Sequence, residues 1–188
     1  MPPKIKITKQ DIINTAIELV RASGDGAINA RAIASALNCS TQPIFSNFET
    51  MDDLRDDVIV STYDIYLDYL KKEAESGKYP QYKSFGMAYI RFAKEEKELF
   101  KLLFMCDRSD KETTFSPDFN ASIEMIMKAN GITRDIAELI HLEMWTCVHG
   151  IGTMLATSFL SLEWDLISDI LTDVYQGIRA KHLSEVKL

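Results

Sequence analysis

NARAIASALNCSTQPIFSNF, residues 29–48, is the stretch whose reading decides the fold. Asn29 can cap a helix with its side-chain oxygen, and Ile33, Ala34 and Leu37 then recur at helical spacing. The pattern breaks at Asn38-Cys39-Ser40. Asparagine tolerates the left-handed backbone that ends a helix, and Ser40 or Thr41 can cap the next one. Pro43 falls in the first turn of that second helix, where a missing N–H leaves no hydrogen bond unmade. Ile44, Phe45 and Phe48 supply its apolar side; Ser40, Thr41, Gln42, Ser46 and Asn47 supply its polar side. A short helix, a tight turn and a second short helix led by small polar residues predict a helix-turn-helix with a recognition helix.

The flanking sequence is helical throughout. Thr8 caps a first helix over about 9–22, with Asp11 in the capping-box position and Ile12, Ile13, Ala16, Ile17 and Val20 as its buried stripe. Ser23-Gly24-Asp25-Gly26 ends it. Thr50 caps a long helix over about 51–75, with Asp52 and Asp53 at its positive end. Its apolar residues, among them Leu54, Val58, Tyr63, Tyr66, Tyr69 and Leu70, occupy more than one side. Ser76 to Pro80 stops it. SFGMAYIRFAKEEKELFKLLF, starting at Ser84, reads as two helices, and 107–117 as a polar loop. A helix then spans about 118–129. Two long apolar-striped helices follow, over about 133–158 and 163–182. No strand pattern competes. The expected fold is all-α, with about nine helices: a three-helix N-terminal domain (1–50) followed by a helical effector-binding and dimerisation domain (51–188).

The residues from Thr8 to Leu54 resemble the DNA-binding domain of TetR-family transcriptional regulators. The resemblance rests on the capped first helix, Gly24-Asp25-Gly26, Asn29-Ala30-Arg31-Ala32-Ile33-Ala34, Phe45-Ser46-Asn47-Phe48 and Met51-Asp52-Asp53-Leu54. Two positions depart from the family pattern: Phe45 stands where a Tyr is usual, and Met51 where a Lys is usual. Both departures remove a phosphate-binding group. Residues of about 85–160 resemble the C-terminal domain type named for a Trp-His-Gly motif, here Trp145, His149 and Gly150; Lys97-Glu98 stands where that type has a Pro before Leu-Phe. The resemblance implies a regulator, most simply a repressor. It would bind a near-palindromic DNA operator as a homodimer through helices 133–158 and 163–182, and answer to a small molecule held in the C-terminal domain.

Composition fits this reading. The chain has 188 residues, 46% hydrophobic and 26% charged, with a net charge of −7. That total conceals a split. Residues 1–48 carry five basic and three acidic side chains, and the remainder sixteen basic and twenty-five acidic, so +2 faces −9. Positive potential is confined to the end that would meet phosphate. No apolar run has the length of a membrane span and no signal-peptide pattern opens the chain, so a cytoplasmic location is expected. Cys39, Cys106 and Cys147 have no metal-binding or redox spacing and read as small buried hydrophobes. No HExxH, GxSxG or P-loop occurs, and His141 with Glu143 does not make an i, i+4 ligand pair. No enzymatic activity, metal or cofactor is expected.

Thr41, Gln42, Pro43 and Ser46 are placed to reach base edges: Gln42 as the one long bidentate group, suited to adenine, and Pro43 as an apolar contact for a thymine methyl. Phosphate contacts are expected from Lys4, Lys6, Lys9, Asn29, Arg31, Ser40 and Asn47, with Phe45 on the same helix. Asn29, Ser40 and Thr41 serve equally as caps. The resemblance further implies an effector site, for which Tyr63, Tyr66, Tyr89, Phe92, Phe104, Met125, Trp145 and His149 offer aromatic and polarizable surface. Core packing explains any one of these residues as well, and a ligand- or protein-binding module that has lost specific DNA binding is the rival reading.

Overall fold

The computed structural model describes residues 7–106 and 117–185; the expected loop at 107–117 lies outside them except for Pro117. Among the described residues there are nine α-helices, one 3-10 turn and no strand. The helices are α1 (Lys9–Ser23), α2 (Ala30–Ala36), α3 (Gln42–Asn47), α4 (Met51–Glu75), α5 (Gln81–Glu95), α6 (Lys97–Phe104), α7 (Pro117–Asn130), α8 (Arg134–Ala156) and α9 (Trp164–Glu185). The 3-10 turn is Asp25–Ala27. By packing they form two units. The described residues up to Leu67, with Glu96–Cys106, make the first. Asp68–Glu95 and the described residues after Cys106 make the second. Packing therefore groups most of α4, and all of α6, with the helix-turn-helix, whereas the sequence divides at residue 50.

In the first unit, α1 begins with a complete capping box. The Thr8 side chain accepts from the Asp11 N–H at 3.1 Å, and the Asp11 carboxylate accepts from the Thr8 N–H at 2.9 Å. The Thr8 hydroxyl also donates to the Asp11 carboxylate at 2.7 Å, and that bond first, then the one from the Thr8 N–H, holds the Asp11 carboxyl below its usual range. All five residues of the expected stripe, Ile12, Ile13, Ala16, Ile17 and Val20, are buried. The helix ends at Gly24, whose φ of 78° and ψ of 179° suit glycine alone. α6 closes over α1: Leu99, Phe100, Leu102 and Leu103 are buried, and Arg21 donates to both oxygens of Glu96 at 2.9 Å each. Glu96 is the one residue between α5 and α6. α4 is capped by Thr50 and Asp53 acting reciprocally, each backbone N–H donating to the other's side chain. It buries Leu54, Val58, Thr62 and Tyr66 at every fourth position, and the same register continues to Leu70 in its second-unit part.

In the second unit, α5 and α8 run parallel. Two tyrosine–histidine hydrogen bonds in matching order show this, Tyr82 with His141 at 3.0 Å and Tyr89 with His149 at 2.8 Å. Gly86 allows the approach: a Cβ there would lie 3.3 Å from Val148 and 3.4 Å from Leu171 of α9. Ile123 and Ile126 of α7 pack with Ala137 and Ile140 of α8 in a core edged by Tyr82, Phe119 and Tyr175. Glu73 is buried and is explained by Arg91, which donates to it at 2.9 Å while lying 4.5 Å above the Trp164 ring. The cysteine expectation fails: Cys39 and Cys147 are only half-buried, and Cys106 is exposed just past the end of α6. No helix of the described residues is long and apolar enough to cross a membrane.

Candidate functional site

The helix-turn-helix is assembled from α2, the break at residues 37–41 and α3. Asn29 caps α2, its Oδ1 accepting from the Ala32 N–H at 2.9 Å, while its Nδ2 donates to the Ala27 carbonyl at 3.2 Å. The break has the left-handed residue read from the sequence, Asn38 at φ 52°. Of the two residues that the sequence offers as a cap for α3, Ser40 and Thr41, the residue in the N-cap position is Thr41, and it does not cap. It precedes α3 already in a helical conformation, φ −72° and ψ −11°, and makes no side-chain cap bond. A helical backbone turns the hydroxyl away from the N–H groups that an extended N-cap residue reaches.

α3 is pinned from within by Ile44 and, one residue past its end, by Phe48, both buried. That fixes its outer surface. Gln42, Phe45, Ser46 and Asn47 are exposed there, and Ser40 is exposed just before it; Thr41 and Pro43 are half-buried. Two of the polar groups are turned back onto the helix: Ser46 Oγ donates to the Gln42 carbonyl at 2.9 Å and Asn47 Nδ2 to the Pro43 carbonyl at 2.7 Å. Gln42 and Phe45, three apart, are neighbours on that surface.

The expected phosphate contacts are distributed unevenly. Lys4 and Lys6 lie outside the described residues. Lys9 is drawn to Asp57 of α4 at 2.5 Å and lies 5.0 Å above the Phe48 ring, so its charge is partly neutralised at home. Arg31 on α2 is exposed and makes no ion pair among the described residues. Arg21 is committed to Glu96 and Glu18, and its guanidinium is held further above its usual range by the Glu96 hydrogen bond than burial lowers it. Met51, half-buried, opens α4.

The expected effector residues divide between the units. In the first, the Tyr66 ring lies 5.7 Å from Tyr63 and edge-on to Phe104 at 5.2 Å. In the second, Trp145 stacks on His149 at 5.0 Å, and His149 bonds Tyr89. Phe92 is fully buried with its ring edge-on to Tyr69, and Met125 is half-buried on α7. Three residues that the sequence reading left out of the set extend the second cluster. Phe119 lies 6.0 Å from Trp145 and edge-on to His141 at 4.7 Å, and His141 bonds Tyr82. The signal that could have found His141 is its spacing: His141, Trp145 and His149 recur at four on one helix. Burial lowers His141 to a pKa of about 4 and lowers His149 as well, which favours the neutral imidazole at both. Tyr82 is raised by burial first and then by Tyr175. Among the described residues no group of three or more His, Cys, Asp or Glu side chains is placed to hold a metal ion.

No family model and no curated protein matches the chain. Solved structures do. A TetR-like transcriptional regulator from Rhodococcus sp. RHA1 superposes with a TM-score of 0.60 at 14% identity, covering 98% of each chain. Apo ActR from Streptomyces coelicolor superposes with a TM-score of 0.56 at 18% identity, covering 97% of this chain and 100% of its own. The chain has the fold of the TetR-like transcriptional regulators, with 97% or more of it covered in both superpositions.

Proposed function

We propose that this protein is a DNA-binding transcriptional regulator, and that its α3 is the recognition helix. The observation that carries the reading is the outer surface of α3: Gln42, Phe45, Ser46 and Asn47 face solvent while Ile44 and Phe48 anchor the helix from behind. A rigidly seated short helix with outward side chains is what the major groove admits. The likeness to regulators of this fold supports the same reading. The phosphate contacts assigned to it are Arg31, Asn29, Ser40, Asn47 and the lysines Lys4, Lys6 and Lys9.

The regulator acts as a homodimer on a near-palindromic operator, and occupancy of the operator represses transcription. Leu139 and Leu142 on α8, Phe159 and Leu160 in the following turn and Leu166 on α9 are exposed, Phe159 by 80%. Apolar surface of this kind on the last two long helices supports their pairing with a second copy. A mainly apolar, uncharged effector fits the neutral histidines and aromatic rings of the second unit. α4 is one continuous helix of 25 residues that packs in both units, and so is the element through which effector binding alters the spacing of the two recognition helices.

Selection from random duplexes by the purified protein tests the reading, with sedimentation at micromolar concentration alongside. The expected result is an inverted repeat bound by a dimer. Failure to enrich any sequence would favour a module that keeps the fold without specific DNA binding, as the absence of a Tyr hydroxyl at Phe45 and of a Lys at Met51 would then indicate.

A further inference from the structure

We propose that Phe45 reads sequence by packing on the C5 methyl group of a thymine; the inference rests on the DNA-binding reading above. Phe45 is 52% exposed, on a helix whose other large apolar side chain, Ile44, is fully buried. Its polar neighbours are partly withdrawn from competition, since Ser46 Oγ and Asn47 Nδ2 already donate to carbonyls of the same helix. The extended groups left on the outer surface are the Gln42 amide and the Phe45 ring. A phenyl ring has no atom to bond a phosphate oxygen or a polar base edge. Of the groups that base pairs present in the major groove, the thymine methyl is the apolar one. α3 carries no charged side chain, so its discrimination must come from shape and from the Gln42 amide.

The partner of this contact follows from geometry. Gln42 and Phe45 are adjacent on the helix surface and reach neighbouring base pairs. An amide bonds adenine N6 and N7 in a bidentate manner. The half-site is therefore expected to carry adjacent A·T pairs, with adenine opposite Gln42 and a thymine methyl opposite Phe45. Pro43 is half-buried and reaches less far than the Phe45 ring.

The test replaces each thymine of the selected half-site, one at a time, by deoxyuridine, which removes the methyl and nothing else. For wild-type protein one position should weaken binding about fourfold, the equivalent of about 0.8 kcal/mol per buried carbon at 1.4 kcal/mol per tenfold. Phe45→Tyr should keep that sensitivity. Phe45→Ala, checked for an unchanged circular dichroism spectrum, should bind thymine and deoxyuridine sites alike. Insensitivity of wild type at every position would overturn the proposal, as would a Phe45→Ala protein that still discriminates, because the methyl would then meet Pro43 or another group. A selection that enriches no site would overturn the DNA-binding reading itself, and this inference with it.

Discussion

Acidification from pH 7.5 to 5.5 should destabilise the protein through His141 by about 1 kcal/mol. The imidazole bonds Tyr82 through Nδ1 and lies edge-on to Phe119, and its Nε2 is buried with no hydrogen-bond partner among the described residues. Burial holds its folded-state pKa at about 4, against 6.5 for the unfolded chain. The sign follows from proton counting. Between these values the unfolded chain binds a proton that the folded chain refuses, so stability falls as pH drops below 6.5 and is fully reduced near 4. The whole gap would be worth about 3 kcal/mol, and about 2 kcal/mol once partial exposure is allowed for. Stopping at pH 5.5 takes about 1 kcal/mol, or a fall in Tm of about 2–4 °C for a chain of this size. His149, also lowered by burial, acts in the same direction. Urea or thermal unfolding of wild type and His141→Gln at both pH values isolates the His141 share. The variant should lose about 1 kcal/mol less than wild type over the interval. Equal losses in the two proteins would refute the assignment of a neutral, buried His141.

Further outcomes follow from the first unit. Gly24→Ala should cost about 1–3 kcal/mol, because φ 78° with ψ 179° excludes a Cβ and that Cβ would also lie 3.1 Å from the Glu98 carboxylate. Adding Glu98→Ala should recover little of the lost urea midpoint, since the backbone is the larger cause. A double-mutant cycle on Arg21 and Glu96, whose pair is partly buried, should show a coupling of about 1–2 kcal/mol in unfolding experiments. Arg31→Ala should weaken all duplexes alike and lower the salt slope of binding by about one. Gln42→Ala should instead cost about 1–3 kcal/mol on the selected site and relax preference at one base pair.

Local physics made much of the first unit readable. Thr8 with Asp11, Asn29 and Thr50 with Asp53 cap their helices as the sequence implies, because a cap depends on residues three apart. The stripe of α1 needed only helical periodicity, and Asn38 only its tolerance of positive φ. Thr41 was misleading: threonine is a good cap by type, but the tight turn at 37–41 leaves it with a helical backbone. α5 starts at Gln81, before the apolar stripe that announces it, because its first turn continues directly from Pro80, whose carbonyl accepts from the Ser84 N–H.

Side-chain partnerships between distant residues were not legible. Tyr82 meets His141 across 59 residues and Tyr89 meets His149 across 60, so no local pattern pairs them. Glu73 of α4 is buried beside Arg91, which itself lies over Trp164, and residues so far apart in the chain leave no local signal of that arrangement. Packing α6 on α1 depends on Arg21 and Glu96, which are 75 positions apart. The aromatic inventory of the effector region was visible as composition. Its division between two packing units was not, because residue type carries no information about which helices meet.

The claim that α3 enters the major groove is tested most directly by replacing each purine of the selected duplex, one at a time, with its 7-deaza analogue, which removes the N7 acceptor from that groove and leaves the minor groove unchanged. The account predicts two sensitive adenines, related by the symmetry of the site and about one helical turn or a multiple of it apart, whose replacement no longer matters in Gln42→Ala. Wild-type binding that no 7-deaza substitution weakens would contradict it, and would place the protein on the backbone or in the minor groove.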